Sequence, residues 1–376
     1  MKNLLFDWGI SDHSGWGIYG LNLLLSGIQD TRFQISPLEW PPSFLYPTNP
    51  IAALEIDRYF RNRGKTSSVS SGDILLTALG NSIEPRSKDV SLKELGIIFF
   101  EANPLNKTSI ESLHNFDLIV AGSSWNRDQL SNMGIYSELV IQGINVDLFR
   151  PLDKKFLKDR FVVFSGGKLE FRKGQDIALK AFSIFSQNHD DALLISCWRS
   201  PWESGSAPTI NRSNLCKPLI PHENMGVAIN NWVMSNGIRE HQFLDLGVVS
   251  NQLMPEVFRE ANLAIFPNRS EGGTNLVAME AIGSGLPCAI SANTGHLDLI
   301  QNCECLPLIH QTPVTNNSTT PCIGWGESSV DELVGVLEDA YYGRLKKLSK
   351  NTVSQSISKF TWGNSIDSLL NIANTI

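Results

Sequence analysis

The chain has 376 residues, 42% hydrophobic and 18% charged, with a formal net charge of −7. That length exceeds one ordinary core and predicts two domains of about 100–200 residues each. The acidic balance argues against a broad electrostatic footprint for nucleic acid, and no apolar run approaches the ~20 residues of a membrane span.

From the N-terminus, MKNLLFDWG is too short in apolar residues for a signal peptide and meets Asp7 at once, so it reads as a first strand. Six runs in the first half read as strands: LLFDW (4–8), FQISPLEW (33–40), DILLTAL (73–79), LGIIFFE (95–101), FDLIVAG (116–122) and ELVIQGI (138–144). Six follow in the second half: FVVFSGG (161–167), ALLISCW (192–198), HQFLDLG (241–247), LAIFPN (263–268), LPCAISA (286–292) and LPLI (306–309). Continuous apolar runs predict strands buried on both faces, and alternation with helical segments predicts parallel α/β sheets. Residues 199–221, rich in Ser, Pro, Asn and Arg, read as a long loop. The boundary falls in NVDLFRPLDKKFLKDR (145–160), where apolar content drops and Pro151 breaks regularity. The expected division is 1–150, 151–358 and a C-terminal amphipathic helix within 359–376.

The stretch GWGIYG fits the dinucleotide fingerprint G-x-G-x-x-G at Gly15, Gly17 and Gly20, and Glu39 falls about 20 residues later, as that fingerprint needs. In the fingerprint the first glycine follows its strand almost directly. Here six residues, Gly9 to Ser14, separate Trp8 from Gly15. The alternative reading is a glycine loop in which Gly15 and Gly17 permit close backbone approach to a ligand, while Gly20 permits close helix packing.

The second half carries two anion-binding signals. In FSGGKLEFRKGQD (164–176), Lys168 and Lys173 lie beside glycine turns and a helix start. In FPNRSEGGTNLVAMEAIGSGLPC (266–288), Glu271, Gly272 and Gly273 lead into a helix expected to begin with Thr274 and Asn275, whose free amides would face a ligand. Leu276, Val277 and Glu280 share a face of that helix. A carboxylate in this apolar setting needs a hydrogen-bond donor, which a ribose diol supplies. The six cysteines show no paired CxxC spacing, which makes a reducing cytoplasm the default, and the seven histidines show no metal-ligand spacing.

Together these segments resemble glycosyltransferase family 4, retaining enzymes of the GT-B fold. The family's G-[RK]-L-x-x-x-K-G is matched from Gly167 to Gly174, and its P-S-x-x-E-G…L-E-A-x-A-x-G-x-P from Pro267 to Pro287. QGINVDLFRP (142–151) is similar to the family's interdomain junction, LIVAGSSWNRDQLSNMGI (118–135) to the strand, turn and helix before it, and FTWGNSIDSLL (360–370) to its closing helix. Two departures stand out. Eight residues separate Glu271 from Glu280 where the family has seven, so that counting back from Glu280 reaches Gly272. Lys168 replaces the commoner arginine, keeping the charge but losing the bidentate fork.

The resemblance implies two Rossmann-like domains facing a cleft, with the C-terminal helix crossing back to the first. It implies sugar transfer with retention from a UDP- or GDP-linked donor to a glycan, glycolipid or small-molecule acceptor. Lys168, Lys173, Gly167 and the amides of Gly273, Thr274, Asn275 and Leu276 would stabilise the departing diphosphate, without a metal or other cofactor. Glu280 would grip the ribose, Glu271 the donor sugar, and Val248 would lie near the base, with Gly15 and Gly17 closing over the donor from the first domain. Glu101 is a candidate for a catalytic or acceptor role; His13 and His296 are weaker candidates near the cleft. The implied setting is cytoplasmic, at or away from the inner membrane face, although no basic amphipathic helix demands membrane contact. Competing readings are an NAD-dependent oxidoreductase built on GWGIYG, a GT-B nucleotide-sugar epimerase and a non-catalytic nucleotide-sugar-binding subunit.

Overall fold

A computed structural model describes residues 2–28, 30–39, 42–45, 53–54, 56–58, 71–84, 92–315, 321–345 and 349–376. Each of the twelve apolar runs contributes a strand: β1 Lys2–Phe6, β2 Phe33–Pro37, β3 Ile74–Leu79, β4 Lys93–Ile98, β5 Leu118–Ala121 and β6 Ser137–Leu139 in the first sheet, and β7 Phe161–Gly166, β8 Ala192–Cys197, β9 Phe243–Asp245, β10 Leu263–Phe266, β11 Cys288–Ser291 and β12 Leu306–Leu308 in the second. A short antiparallel pair, β13 Gln311–Pro313 and β14 Gly326–Ser328, stands apart. All pairings in the two large sheets are parallel. The unbroken apolar character of strands such as β7, buried at every residue, follows from helices covering both faces.

The sheets differ in strand order. The first runs β2-β1-β3-β4-β5-β6 and the second β12-β11-β10-β7-β8-β9. The order reverses between β1 and β3 in the first and between β7 and β10 in the second. Ligands of open α/β sheets bind beyond the strand C-termini at such reversals.

Serine caps start two of the helices that follow first-domain strands. Ser14 Oγ accepts from Gly17 N at 3.1 Å to open the helix Gly15–Gly27, and Ser123 Oγ accepts from Asn126 N at 3.1 Å to open Ser124–Asn132. The C-terminal helix Trp362–Asn374 returns to the first domain. Trp362, Ile366, Leu369, Leu370 and Ala373 join the core of Leu4, Phe6, Tyr19 and Leu24, and Arg32 pairs with Asp367 at 2.8 Å. Where the chain crosses, Ile144 and Phe360 to Trp362 exchange backbone hydrogen bonds.

Two local expectations need correction. Residues 199–221 contain the short helix Glu203–Ser206 and a 3-10 segment Ala207–Arg212. Ala207, Ile210 and Leu219 enter the second domain's core, a burial that outweighs the polar, proline-containing composition. The helix after β10 begins at Leu276. Asn275 is its N-cap, at φ 64°, and its side chain accepts from Ala278 N. Among the described residues, no helix is long and apolar enough to cross a membrane.

Candidate active site

The two reversals face each other across a cavity of about 480 Å³. From the first domain, Asp12 to Trp16, Asn81, Phe99 and Glu101 line it. From the second come Gly167, Lys168, Arg172, Lys173, Gly247, Val248, Glu271, Gly273, Asn275, Leu276 and Glu280. Gly15, Gly167, Lys168, Lys173, Val248, Glu271, Gly273, Asn275, Leu276, Glu280 and Glu101 are therefore brought to one cleft from strand ends far apart in sequence.

Gly17 and Thr274 are not part of the lining. Gly17 packs against Ser11, so that any side chain there would collide with the β1 loop. Thr274 is fully buried and its hydroxyl contacts Met279 Sδ at 2.9 Å. The dinucleotide fingerprint also lacks its tight turn. Eight residues, Asp7 to Ser14, separate β1 from the helix at Gly15, and Glu39 is exposed beside Gly9.

The second-domain wall is an alternating network of three cations and two carboxylates, joined by a third carboxylate from the first domain. Lys168 pairs with Glu170 at 3.0 Å, Glu170 with Arg172 at 2.6 Å, and Arg172 with Glu271 at 3.2 Å. Lys173 and Asn268 also contact the Glu271 carboxylate. Glu101 reaches across from the first domain to Arg172 at 3.3 Å. Burial alone would raise the Glu271 carboxyl, but Lys173 and Arg172 outweigh it and hold the group near 2. The same carboxylates favour the charged form of Arg172 against the cost of its burial.

The turn between Glu271 and the helix is held against the first domain. Gly272 lies against the backbone of Phe100, too close for a side chain, and its carbonyl accepts from Ser123 Oγ at 2.6 Å. The Glu271 side chain lines the cleft. A neighbouring loop supports it: Thr294 Oγ1 accepts from Glu271 N at 2.8 Å, and Gly295 N donates to Glu271 O at 3.0 Å. Asn275 and Thr294 are the non-glycine residues of positive φ among those described, and both border this turn. Backbone strain of this kind persists where surrounding structure enforces it.

Glu280 is 4% exposed, and burial raises its carboxyl to about 8. Asn251 supplies one donor, Nδ2 to Oε1 at 2.5 Å, and its backbone N donates to Asp12 O at 2.6 Å in the first domain. His296, fully buried, is kept neutral with its pKa lowered to about 4 by desolvation. Its Nε2 lies 3.2 Å from Asn275 Nδ2 and so accepts from it, behind the cleft wall. His13 lines the cleft with Nδ1 3.0 Å from Asp12 Oδ1. Arg172 and Asn251 are site residues that local motif reasoning misses. The signal for Arg172 was the run of Arg and Lys before Gly174, readable equally as a solvated turn; Asn251 had none. Among the described residues, no group of three His, Cys, Asp or Glu side chains is placed to hold a metal ion.

No protein-family model matches the chain, and no curated protein matches it. Solved structures do. Sucrose-phosphate synthase from Thermosynechococcus elongatus is 13% identical with a TM-score of 0.65, covering 100% of this chain and 99% of that one. HepE from Anabaena, solved in complex with UDP and glucose, is 14% identical with a TM-score of 0.63 and full coverage of both chains. A glycosyltransferase from Rickettsia africae is 13% identical with a TM-score of 0.61, covering 99% of this chain and 97% of that one. These likenesses carry the fold: two doubly wound α/β domains facing a cleft, the GT-B architecture.

Proposed function

We propose that the chain is a retaining glycosyltransferase that moves a sugar from a nucleoside-diphosphate donor, UDP- or GDP-linked, to a carbohydrate, glycolipid or small-molecule acceptor. The observation that carries this reading is the convergence of Lys168, Arg172 and Lys173 with the turn Gly273–Leu276 at the β7/β10 reversal. The backbone amides of Gly273, Asn275 and Leu276, the residues of that turn that line the cleft, have no protein acceptor among the described residues, so they are available to an anion. HepE's complex with UDP and glucose supports a donor of this class on this fold.

In the reaction, the bond between the sugar's anomeric carbon and the β-phosphate oxygen breaks, and its electron pair leaves with the diphosphate. Lys168, Lys173 and the turn amides hold that charge in a preformed site. The acceptor hydroxyl forms the new bond from the same face, and its proton passes to the departing phosphate oxygen. Glu271 fixes the donor sugar's hydroxyls, Glu280 the ribose, and Val248 borders the base. Glu101, paired to Arg172, stands where an acceptor would approach from the first domain. The acidic chain would act in the cytoplasm, with any membrane contact peripheral and through the first domain.

The test is binding followed by turnover. UDP- or GDP-sugars should raise the melting temperature while NAD does not, and the free nucleoside diphosphate should appear only when an acceptor is present. Stabilisation by NAD alone would restore the oxidoreductase reading. Diphosphate release without acceptor would favour an epimerase-like reaction.

A further inference from the structure

Five tryptophans, Trp8, Trp198, Trp232, Trp325 and Trp362, are buried. Trp202 differs: it is 59% exposed and lines the cleft. Its place in the sheet gives it a role. The loops bounding the cleft leave the second sheet in the order β10, β7, β8, β9. The turn Glu271–Leu276 follows β10, Gly167 and Lys168 follow β7, residues 198–202 follow β8, and Gly247 and Val248 follow β9. Backbone bonds keep these loops in register, Gly167 N to Cys197 O at 3.2 Å, Leu169 N to Trp198 O at 2.8 Å and Leu246 N to Ser196 O at 2.9 Å. Neighbouring strands lie about 4.8 Å apart, so the β8/β9 edge lies roughly two spacings, about 10 Å, from the cationic β10/β7 edge. That separation matches the reach of a nucleotide from its outer phosphate to its base.

The loop that carries Trp202 is clamped. Arg199 binds Glu203 through two hydrogen bonds, 2.7 and 2.9 Å, on either side of Trp202 in sequence. The Arg199 stem lies over Gly247, with Cγ 4.0 Å from where a side chain would begin. The result is a fixed wall at the far end of the cleft with an unpacked indole on it.

We propose that Trp202 is the stacking face of the base site: the base of the nucleotide donor lies against its indole. This rests on the nucleotide-sugar reading of the cleft. Stacking alone tolerates every base, because each has a π-face. Selection between pyrimidine and purine would therefore fall to the polar groups around Val248, while Trp202 would supply affinity.

The test is calorimetric titration of the wild-type chain, Trp202→Ala and Trp202→Phe with UDP, GDP and inorganic pyrophosphate. Trp202→Ala should weaken the nucleotide that the wild type binds by about 5- to 150-fold, the range for loss of one base–aromatic stack. Pyrophosphate, which has no base, should bind all three proteins alike, and Trp202→Phe should recover most of the nucleotide affinity. Unchanged nucleotide affinity in Trp202→Ala would overturn the assignment. So would an equal loss for pyrophosphate, which would mean that the loop had moved, or a defect confined to the acceptor's KM. A wild-type chain that binds neither nucleotide would instead overturn the nucleotide-sugar reading itself.

Discussion

At the first-domain reversal, the loop leaving β1 runs from Asp7 to Ser14, and it meets aromatic neighbours: Trp16 stacks on Tyr19 at 6.1 Å and meets Phe99 edge-on at 5.2 Å. At the second-domain reversal, the loop leaving β10 is one residue longer, from Pro267 to Asn275, but its neighbours are Arg172 and Lys173. Two sheets of related topology thus present opposite chemistry across one cavity. The second wall is cationic and held by buried ion pairs, suited to a ligand of fixed charge. The first is aromatic and polar, and it contributes Glu101, a carboxylate tied to the opposite wall through Arg172. The teaching is that the strand order fixes where a ligand sits, and the loop residues fix which part of it each domain holds.

The sharpest way to break that division is Lys173→Ala. Loss of one preorganised charge-stabilising donor should lower kcat by about 10²- to 10³-fold, and calorimetry should show nucleoside diphosphate binding weakened in parallel. Unchanged affinity would remove the cationic wall from the leaving-group site. Glu271→Gln sharpens the same point with a split outcome. Its carboxylate neutralises Lys173 and Arg172 in the free protein, so the amide should let the bare diphosphate bind about three- to tenfold tighter. Turnover should still fall by about 10- to 100-fold, because a contact to the donor sugar weakens in the transition state. Weaker diphosphate binding in Glu271→Gln would mean that Glu271 positions the cations rather than competing for them.

How much of this was legible in the sequence follows the same division. The strands are readable because a parallel sheet buries both faces, which leaves unbroken runs such as FVVF at 161–164. The cations are readable because Lys168 and Lys173 are held by one short turn of fixed spacing. Arg172 is adjacent to Lys173, yet its meaning lies in Glu101, 71 positions away in another domain. Asn251 has no local pattern; only the fold brings it to Glu280. The 199–221 segment illustrates the reverse error, where polar composition hides the buried Ala207, Ile210 and Leu219. First-domain site residues stay obscure because aromatic and polar side chains on separate strand ends leave no spacing rule.

Glu280 offers a test read in pH. Burial raises its carboxyl from 4.5 to about 8, so the free protein holds a proton there at neutrality. Between those values the native state binds more protons than the unfolded chain, and this group's contribution to stability is lost as pH rises. A ribose diol donating to the carboxylate favours its ionised form, so binding expels the proton. Affinity for a nucleotide sugar should therefore rise about tenfold per pH unit up to about 8, then level. Glu280→Gln should flatten that profile. A flat wild-type profile would show that Glu280 binds in its protonated form or not at all.

The smallest effect on donor affinity is expected from the first domain. Glu101 meets Arg172 at 3.3 Å and accepts from Asn81 Nδ2 at 3.0 Å. Glu101→Gln keeps the shape and the Asn81 contact while removing one of three carboxylates around Arg172. Diphosphate affinity should change by no more than about fivefold, the worth of a pair at the edge of solvent, and in the direction of tighter binding. Turnover with a saturating acceptor should fall further than affinity changes, because the lost charge faces the acceptor side. If donor affinity instead falls as steeply as it does in Lys173→Ala, Glu101 belongs functionally to the cationic wall, and the cleft is not divided along the domain boundary.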